Sequence, residues 1–314
     1  VETETSDFHH RPVLIREVVE MLKSAGEGEI MDGTVGGGGH SLALLEAFSS
    51  CRILAVDRDP QALDAARARL DGYQERVRFV QDRFDRVLER RVSEGAPLDG
   101  ILLDLGVSGH QLDLDSRGFT FRPDAPLDMR MEVSAAGQQT AAELLNHLSE
   151  EELIRIFREY GEEPQARRLA RAVTLLRGDR EFRVADDLTE AMAKAYRRSP
   201  SVKDKARIFQ SLRIEVNSEL ESLDRALAAA EEVLVAGGVL VVISYHSLED
   251  RRVKRAMQGW SEGCICPPGL PVCGCGFKPS GEVMTRRVVR PGEEELGENP
   301  RARSARLRAW RKAA

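Results

Sequence analysis

No stretch of this 314-residue chain is apolar for long enough to cross a bilayer, which argues against an integral membrane protein. Cysteine is scarce, with five residues in all, and four of them crowd into one Pro/Gly-rich loop, so the thiols read as reduced and cytosolic. A basic excess is missing too: 46 Lys and Arg against 52 Asp and Glu give a net charge of −6, with no overall signature of a nucleic-acid binder. The first ten residues, VETETSDFHH, are acidic and polar and lack the pattern of a signal or transit peptide; the expectation is a cytosolic protein. At 42% hydrophobic and 31% charged, the composition is that of a globular protein longer than one compact domain usually is.

Two local features qualify these absences. Cys264, Cys266, Cys273 and Cys275 form two close pairs, but each pair is C-x-C where zinc ribbons use C-x₂-C, and chelation by both sulfurs across one residue is strained. Zinc on these four thiols is the lesser reading, behind reduced cytosolic thiols or an occasional disulfide, and no metal is assigned. Basic residues also cluster locally, at Arg301, Arg303, Arg306, Arg308, Arg311 and Lys312, at Arg251, Arg252, Lys254 and Arg255, and at Arg197 and Arg198 beside Tyr196. Each cluster suits a solvated face as well as an anion contact.

The most informative segment is EIMDGTVGGGGHSLALL, a short apolar strand, then Gly33, Gly36, Gly37, Gly38 and Gly39, then an apolar helix start. Glycines at such a junction permit positive φ and let backbone N–H groups approach a ligand. Two residues argue against a phosphate-binding loop: Gly39 stands where its lysine belongs and His40 where its Ser or Thr belongs. The dinucleotide pattern GxGxxG also fails, since its third glycine falls on Ser41 or Leu42, which weakens an NAD reading without removing it. The next strand, Arg52–Val56, runs into Asp57-Arg58-Asp59-Pro60 and a helix. An acid at that strand tip accepts hydrogen bonds from both ribose hydroxyls of an adenosine, unless it merely caps the helix. Adenosine without phosphate points to S-adenosylmethionine.

Further along, VRFVQDRF near residue 80 and LDGILLDLG near 102 complete four strands in parallel α/β rhythm, with Asp82, Phe84 and Asp104 at carboxyl ends, where such sheets bind ligands. About a hundred residues of helical pattern interrupt the rhythm, including a Ser149/Glu152 capping box before Leu153, Ile156, Phe157 and Tyr160. The sheet is expected to resume with one long helix from Ile208 to Val235, capped by Gly237 and Gly238, before a buried strand at 239–244. Segments 285–290 and 304–311 read as two last strands, the latter at an edge.

The motifs HRPVL (10–14), DGTVGGGGHS (32–41), DRDPQALDAA (57–66), DGILLDLGVS (99–108), QLD (111–113), RGFTF (117–121), PLDMRM (126–131), YGEE (160–163), FQSLRIEVNSEL (209–220), SYHSLEDR (244–251) and NPRARSARLR (299–308) resemble, in order and over the whole chain, the bacterial 16S rRNA (cytosine N4) methyltransferase family, RsmH or MraW. The resemblance implies an α/β class I S-adenosylmethionine-dependent methyltransferase, with a Rossmann-like seven-stranded sheet and an inserted all-helical domain. The expected division is residues 1–110 and 208–314 for the methyltransferase domain and 111–207 for a helical insert that helps recognise RNA. It implies S-adenosylmethionine contacts at Gly38, Gly39, His40, Asp57, Phe84, Asp104 and Gln111, and a decoding-centre cytosine of the small ribosomal subunit as substrate. A homodimer is left open. Departures lie at Gly109-His110, at Ala206–Ile208, and at Tyr245, where Phe is more common.

Transfer to cytosine N4 requires a poor nucleophile to be held against the methyl carbon and its proton to be accepted. The [DN]PP[YF] motif of DNA amino-methyltransferases is replaced here by Asp104-Leu-Gly-Val, so Asp104 and His246 are the candidates to flank the amine; His246 serves equally as a helix-capping or packing residue. Arg117, Phe119, Phe121, Arg122 and Arg130 interleave basic and aromatic side chains as an RNA contact would; a hydrophobic hinge joining the insert to the sheet would give the same phenylalanines, but the arginines have no evident packing role in the sequence. A non-catalytic RNA-binding assembly factor and an NAD-linked oxidoreductase are the competing classes.

Overall fold

A computed structural model describes residues 12–106, 115–132, 137–262 and 278–314. The chain divides into two compact units, Val1–Gly106 with Ser222–Ala314, and Val107–Glu221. The first unit opens with α1 (Ile15–Met21) and then alternates β1 (Glu29–Asp32), α2 (Gly39–Ala47), β2 (Arg52–Asp57), α3 (Pro60–Arg69), β3 (Val77–Gln81), α4 (Phe84–Glu94) and β4 (Leu98–Asp104). Local chemistry fixes the junctions. Asp59 caps α3 by accepting the Gln61 N–H at 3.0 Å, with Pro60 preset at the first helical position, and Gly95 ends α4 in the left-handed region.

The second unit holds α5 (Ala141–His147), α6 (Glu150–Glu159), α7 (Ala166–Arg177), α8 (Ala185–Tyr196) and α9 (Val202–Asn217). Reciprocal capping boxes start three of them, Thr140 with Glu143, Ser149 with Glu152 and Ser201 with Asp204. Their apolar faces close one core around Phe157, Leu169, Val173, Leu188, Met192, Ile208 and Leu212. The expected division at 207/208 therefore cuts α9, whose Ile208, Phe209, Leu212 and Val216 pack in the helical core. The single long helix expected from 208 to 235 is broken at Ser218, which takes a left-handed φ of 48°. Buried Asn217 explains the break: its amide donates to the Met129 and Arg213 carbonyls at 2.8 and 2.9 Å, and its Oδ1 accepts the Met131 N–H at 2.9 Å.

The same unit corrects the reading of residues 117–130. Arg130 makes a bidentate pair with Asp128 (2.8 and 2.9 Å), Arg117 donates to the Met131 carbonyl at 2.9 Å, and Arg122 meets Asp115 at 3.0 Å. Phe119 and Phe121 pack on the helical core, Phe121 edge-on to Phe209 with ring centroids 5.8 Å apart. Both arginines and aromatics thus have structural work to do.

The first unit resumes through α10 (Glu219–Val233), β5 (Leu234–Ser244), α11 (Ser247–Ser261), β6 (Gly281–Val283), α12 (Glu293–Glu298) and β7 (Arg306–Lys312). The sheet order is β3-β2-β1-β4-β5-β7-β6, with β7 antiparallel to both neighbours. This is the class I methyltransferase sheet. Its core lies on both faces, with Val239–Ile243 of β5 wholly buried, each residue stabilising by about 1.5–3 kcal/mol. Three details differ from expectation. Gly237 and Gly238 lie inside β5, next to a register shift opposite Leu98 and Gly100, and do not cap a helix. Residues 285–290 contribute only a bridge from Val289 to Leu307, and the seventh strand is the shorter β6. β7 is an inner strand, covered at its outer edge by β6. No helix among the described residues is long and apolar enough to cross a membrane.

Candidate active site

Strand order reverses between β1 and β4, the position at which open α/β sheets leave a crevice beyond their carboxyl ends. Asp32 is opposite Ala55 of β2 and Leu102 of β4, so both neighbours run two residues past the end of β1. Three strands therefore deliver a carboxylate to one rim, Asp32 from β1, Asp57 from β2 and Asp104 from β4.

The glycine turn is folded around these acids. Asp32 accepts the Ser41 hydroxyl at 2.7 Å and the Thr34 N–H at 3.3 Å, tying the start of α2 to the end of β1. Asp57 accepts the Gly36 N–H and the Asp59 N–H, both at 2.9 Å. Asp57 is thus a turn organiser, and Asp59 is the helix cap. Gly36 and Gly38 adopt φ of 50° and 78°, values costly for residues with a Cβ. Gly39 has a different reason: a Cβ there would lie 2.1 Å from Pro12 Cγ, so the helix start packs directly on the preceding segment.

His40 and Asp104 meet across the turn. His40 is buried, and its Nε2–H donates to the Val13 carbonyl at 2.8 Å, which leaves Nδ1 facing Asp104 Oδ2 at 3.7 Å. The Asp104 N–H is held by Thr34 Oγ1 at 2.7 Å, and its Oδ1 accepts the Tyr245 hydroxyl at 2.9 Å. Phe84 begins α4 and packs partly buried against the sheet core; its Cβ would lie 3.0 Å from a Cβ on Gly33.

Burial dominates the electrostatics. It pushes the Asp57 carboxyl up to about 6, against the two backbone N–H donors that favour its charge. It pushes Asp104 up to about 6 as well, opposed by His40 and the Tyr245 hydroxyl and helped by the nearby charges of Asp32 and Glu249. Asp32 is raised by burial too, with His40 and Ser41 pulling it back, and the Tyr245 phenol is raised by burial beside Asp104.

His246 sits one residue beyond Tyr245, as the N-cap position of α11. Glu249, buried on the first turn of that helix, accepts the Tyr245 and His246 N–H groups at 2.9 and 3.4 Å. Its other oxygen is 3.1 Å from His246 Nε2, an ion-pair distance that is off the hydrogen-bond line, and the buried Nδ1 has no hydrogen-bond partner among the described residues. Oδ1 of Asp104 is engaged by the Tyr245 hydroxyl.

Gly38, Gly39, His40, Asp57, Phe84 and Asp104 thus gather at the rim of one sheet; Gln111 and Cys264, Cys266, Cys273 and Cys275 lie outside the described residues. Sequence reading missed Asp32, Thr34, Tyr245 and Glu249 as members. Asp32 carried the signal that identified Asp57 and Asp104, an acid ending an apolar strand. The C-terminal basic cluster is largely structural, since Arg308 and Arg306 pair with Asp250 at 2.6 and 3.5 Å, and Arg311 with Glu282 at 3.6 Å.

The chemistry of the donor set fits S-adenosylmethionine. Each oxygen of Asp57 spends one lone pair on the turn and keeps another for a ribose hydroxyl. Three carboxylates on one rim repel a phosphate and favour a sulfonium.

Comparison with known proteins agrees with this reading. The model of the MraW methylase family matches residues 7–313. The chain is 48% identical over 307 residues to ribosomal RNA small subunit methyltransferase H of Gemmatimonas aurantiaca, covering 97% of this chain and 96% of that one. It is 46% identical over 312 residues to the protein of the same name from Heliobacterium modesticaldum, covering 97% and 99%. A solved rRNA methylase from Streptococcus thermophilus superposes over 96% of this chain and 94% of its own, at 12% identity and a TM-score of 0.40.

Proposed function

The chain belongs to the MraW methylase family, and from that premise we propose that it methylates N4 of a decoding-centre cytosine in 16S ribosomal RNA. At the coarser level it is an S-adenosylmethionine-dependent methyltransferase with small-subunit ribosomal RNA as substrate. The observation that carries the reading is the triad of strand-end carboxylates around the glycine turn, which suits a cationic adenosyl donor better than a phosphorylated one.

When bound, S-adenosylmethionine supplies a methyl carbon made electrophilic by the sulfonium. The protein's own contribution is placement and proton handling. Asp57 would take the ribose, with Gly38, Gly39, His40 and Phe84 bordering the rest of the donor. Asp104, whose side chain is 18% exposed, would accept through Oδ2 the proton that the amine loses. His246 is the second candidate acceptor, because its Nδ1 has no hydrogen-bond partner among the described residues. A target base must leave its stack to reach this edge.

Transfer of labelled methyl from S-adenosylmethionine to small subunits, with mapping of the modified nucleotide, tests the proposal. A single N4-methylated cytosine is the expected product. Methyl on another base, or on carbon or ribose, refutes the cytosine-N4 assignment. Cofactor binding with no transfer to any RNA would support an assembly factor instead.

A further inference from the structure

Tyr245 lies directly after β5, and three contacts hold it. Its N–H donates to buried Glu249 at 2.9 Å, and its ring packs on the sheet core. Its Cδ2 lies 3.4 Å from the place a Cβ on Gly106 would occupy, so the ring faces bare backbone on that side. The hydroxyl then reaches Asp104 Oδ1 at 2.9 Å, across 141 positions of sequence.

The two oxygens of Asp104 consequently have unequal surroundings. Oδ1 has a hydroxyl donor. Oδ2 faces Nδ1 of His40 at 3.7 Å, the ring nitrogen that is not committed to the Val13 carbonyl. A proton shared by the two side chains lies between these two atoms. The titrating oxygen is therefore Oδ2, and the Tyr245 hydroxyl keeps the carboxyl from rotating to exchange the two.

We propose that Tyr245 is a positioning residue for methyl transfer, its hydroxyl locking the Asp104 carboxyl so that Oδ2 is the oxygen that exchanges a proton beside His40. This rests on the reading that Asp104 works in the methyl-transfer site. The groups facing Asp104 are His40 on α2, Asp32 on β1, Glu249 on α11 and Tyr245 itself, and Tyr245 is additionally faced by Glu295 on α12. Among them the Tyr245 hydroxyl favours the carboxylate, so its removal raises the pH at which Asp104 ionises.

The test is Tyr245→Phe, which keeps the ring and removes the donor. Methyl transfer and S-adenosylhomocysteine binding are each measured from pH 5 to 9. The expected result is an acid limb moved up by about one pH unit, the worth of one charge-assisted hydrogen bond, with a plateau lowered only a few-fold. A loss by the same factor at every pH indicates a merely structural hydroxyl and overturns the proposal. So does a variant indistinguishable from the parent. Urea unfolding of Tyr245→Phe with and without Asp104→Asn gives a readout free of activity: the pH-dependent part of the Tyr245 effect must vanish in the Asp104→Asn background, and its persistence there also overturns the proposal. Product binding and unfolding stand whatever RNA base is the substrate, so failure of the cytosine assignment is distinguishable from failure of this inference.

Discussion

Replacing Asp104 by Asn should make the protein more stable at neutral pH while removing its activity. The carboxyl of Asp104 ionises at about 6 in the folded chain, against about 3.9 in an unfolded one. A raised acid favours folding in its protonated form, so that contribution is complete below about pH 3.9 and is lost as pH rises through about 6. Two pH units at about 1.36 kcal/mol each bound the loss at about 3 kcal/mol. The side chain is 18% exposed, and solvent screening reduces the expected figure to about 1–2 kcal/mol. Asparagine escapes the loss and fits the site. Its oxygen can accept the Tyr245 hydroxyl, and its amide takes the place of Oδ2, 3.7 Å from His40 Nδ1.

The assay is urea unfolding monitored by tryptophan fluorescence. Both tryptophans, Trp260 and Trp310, lie in the sheet unit, edge-to-face with centroids 5.0 Å apart, so the signal reports that unit. At pH 7.5 the midpoint of Asp104→Asn should exceed that of the parent by about 0.5 M urea, and the two should converge near pH 4. A variant less stable at pH 7.5, or a difference that does not change between pH 4 and 7.5, would refute the assignment of strain to the Asp104 charge.

The same geometry carries other perturbations. Gly39→Ala places a methyl 2.1 Å from Pro12 Cγ and should lower stability by about 1–3 kcal/mol in the same fluorescence assay, with weaker S-adenosylmethionine binding by calorimetry. Asp85, wholly buried at the start of α4, pairs with Arg83 at 3.0 Å and Arg225 at 2.9 Å and holds its carboxyl below the usual range despite burial. Asp85→Ala leaves these guanidinium groups without their acid and should cost about 3–5 kcal/mol, discounted for the partial exposure of Arg225; a loss below about 1 kcal/mol contradicts the role.

Much of the sheet was legible because apolar runs stop at acids: β1, β2 and β4 end at Asp32, Asp57 and Asp104. The glycine turn was legible for the same local reason, and its failure as a phosphate loop was visible in two residues, Gly39 and His40. What escaped depends on distant partners. Ser218 sits inside an unbroken helical pattern, and only the hydrogen bonds of Asn217 to the 129–131 segment explain the break. Gly237 and Gly238 carry the composition of a helix cap, yet pairing with β4 claims them for a strand. Basic residues at the C-terminus resembled an anion surface until β7 was seated between β5 and β6, where Asp250 and Glu282 meet them. The Tyr245–Asp104 bond joins two strand ends far apart in sequence, and no local period encodes it.

Crowding acids at one rim has a consequence for turnover. Asp57 and Asp104 both ionise at about 6, because each is buried and each feels Asp32. A sulfonium and an ammonium on the donor favour the ionised forms; the demethylated product keeps the ammonium and loses the sulfonium. Binding of S-adenosylmethionine near pH 6 should therefore release more protons than binding of S-adenosylhomocysteine, measurable by calorimetry in buffers of different ionisation enthalpy. The donor-to-product affinity ratio should rise by about tenfold between pH 5 and 7.5, equivalent to about 1.4 kcal/mol of charge discrimination. In Asp104→Asn the rise should shrink, since one of the two titrating groups is gone. A ratio that stays flat across this range would mean that the carboxylates hold the turn together without sensing the methyl group's charge. On the geometry described, the acids that organise the glycine turn should also distinguish donor from product, with product release favoured by the loss of the charge that was transferred with the methyl group.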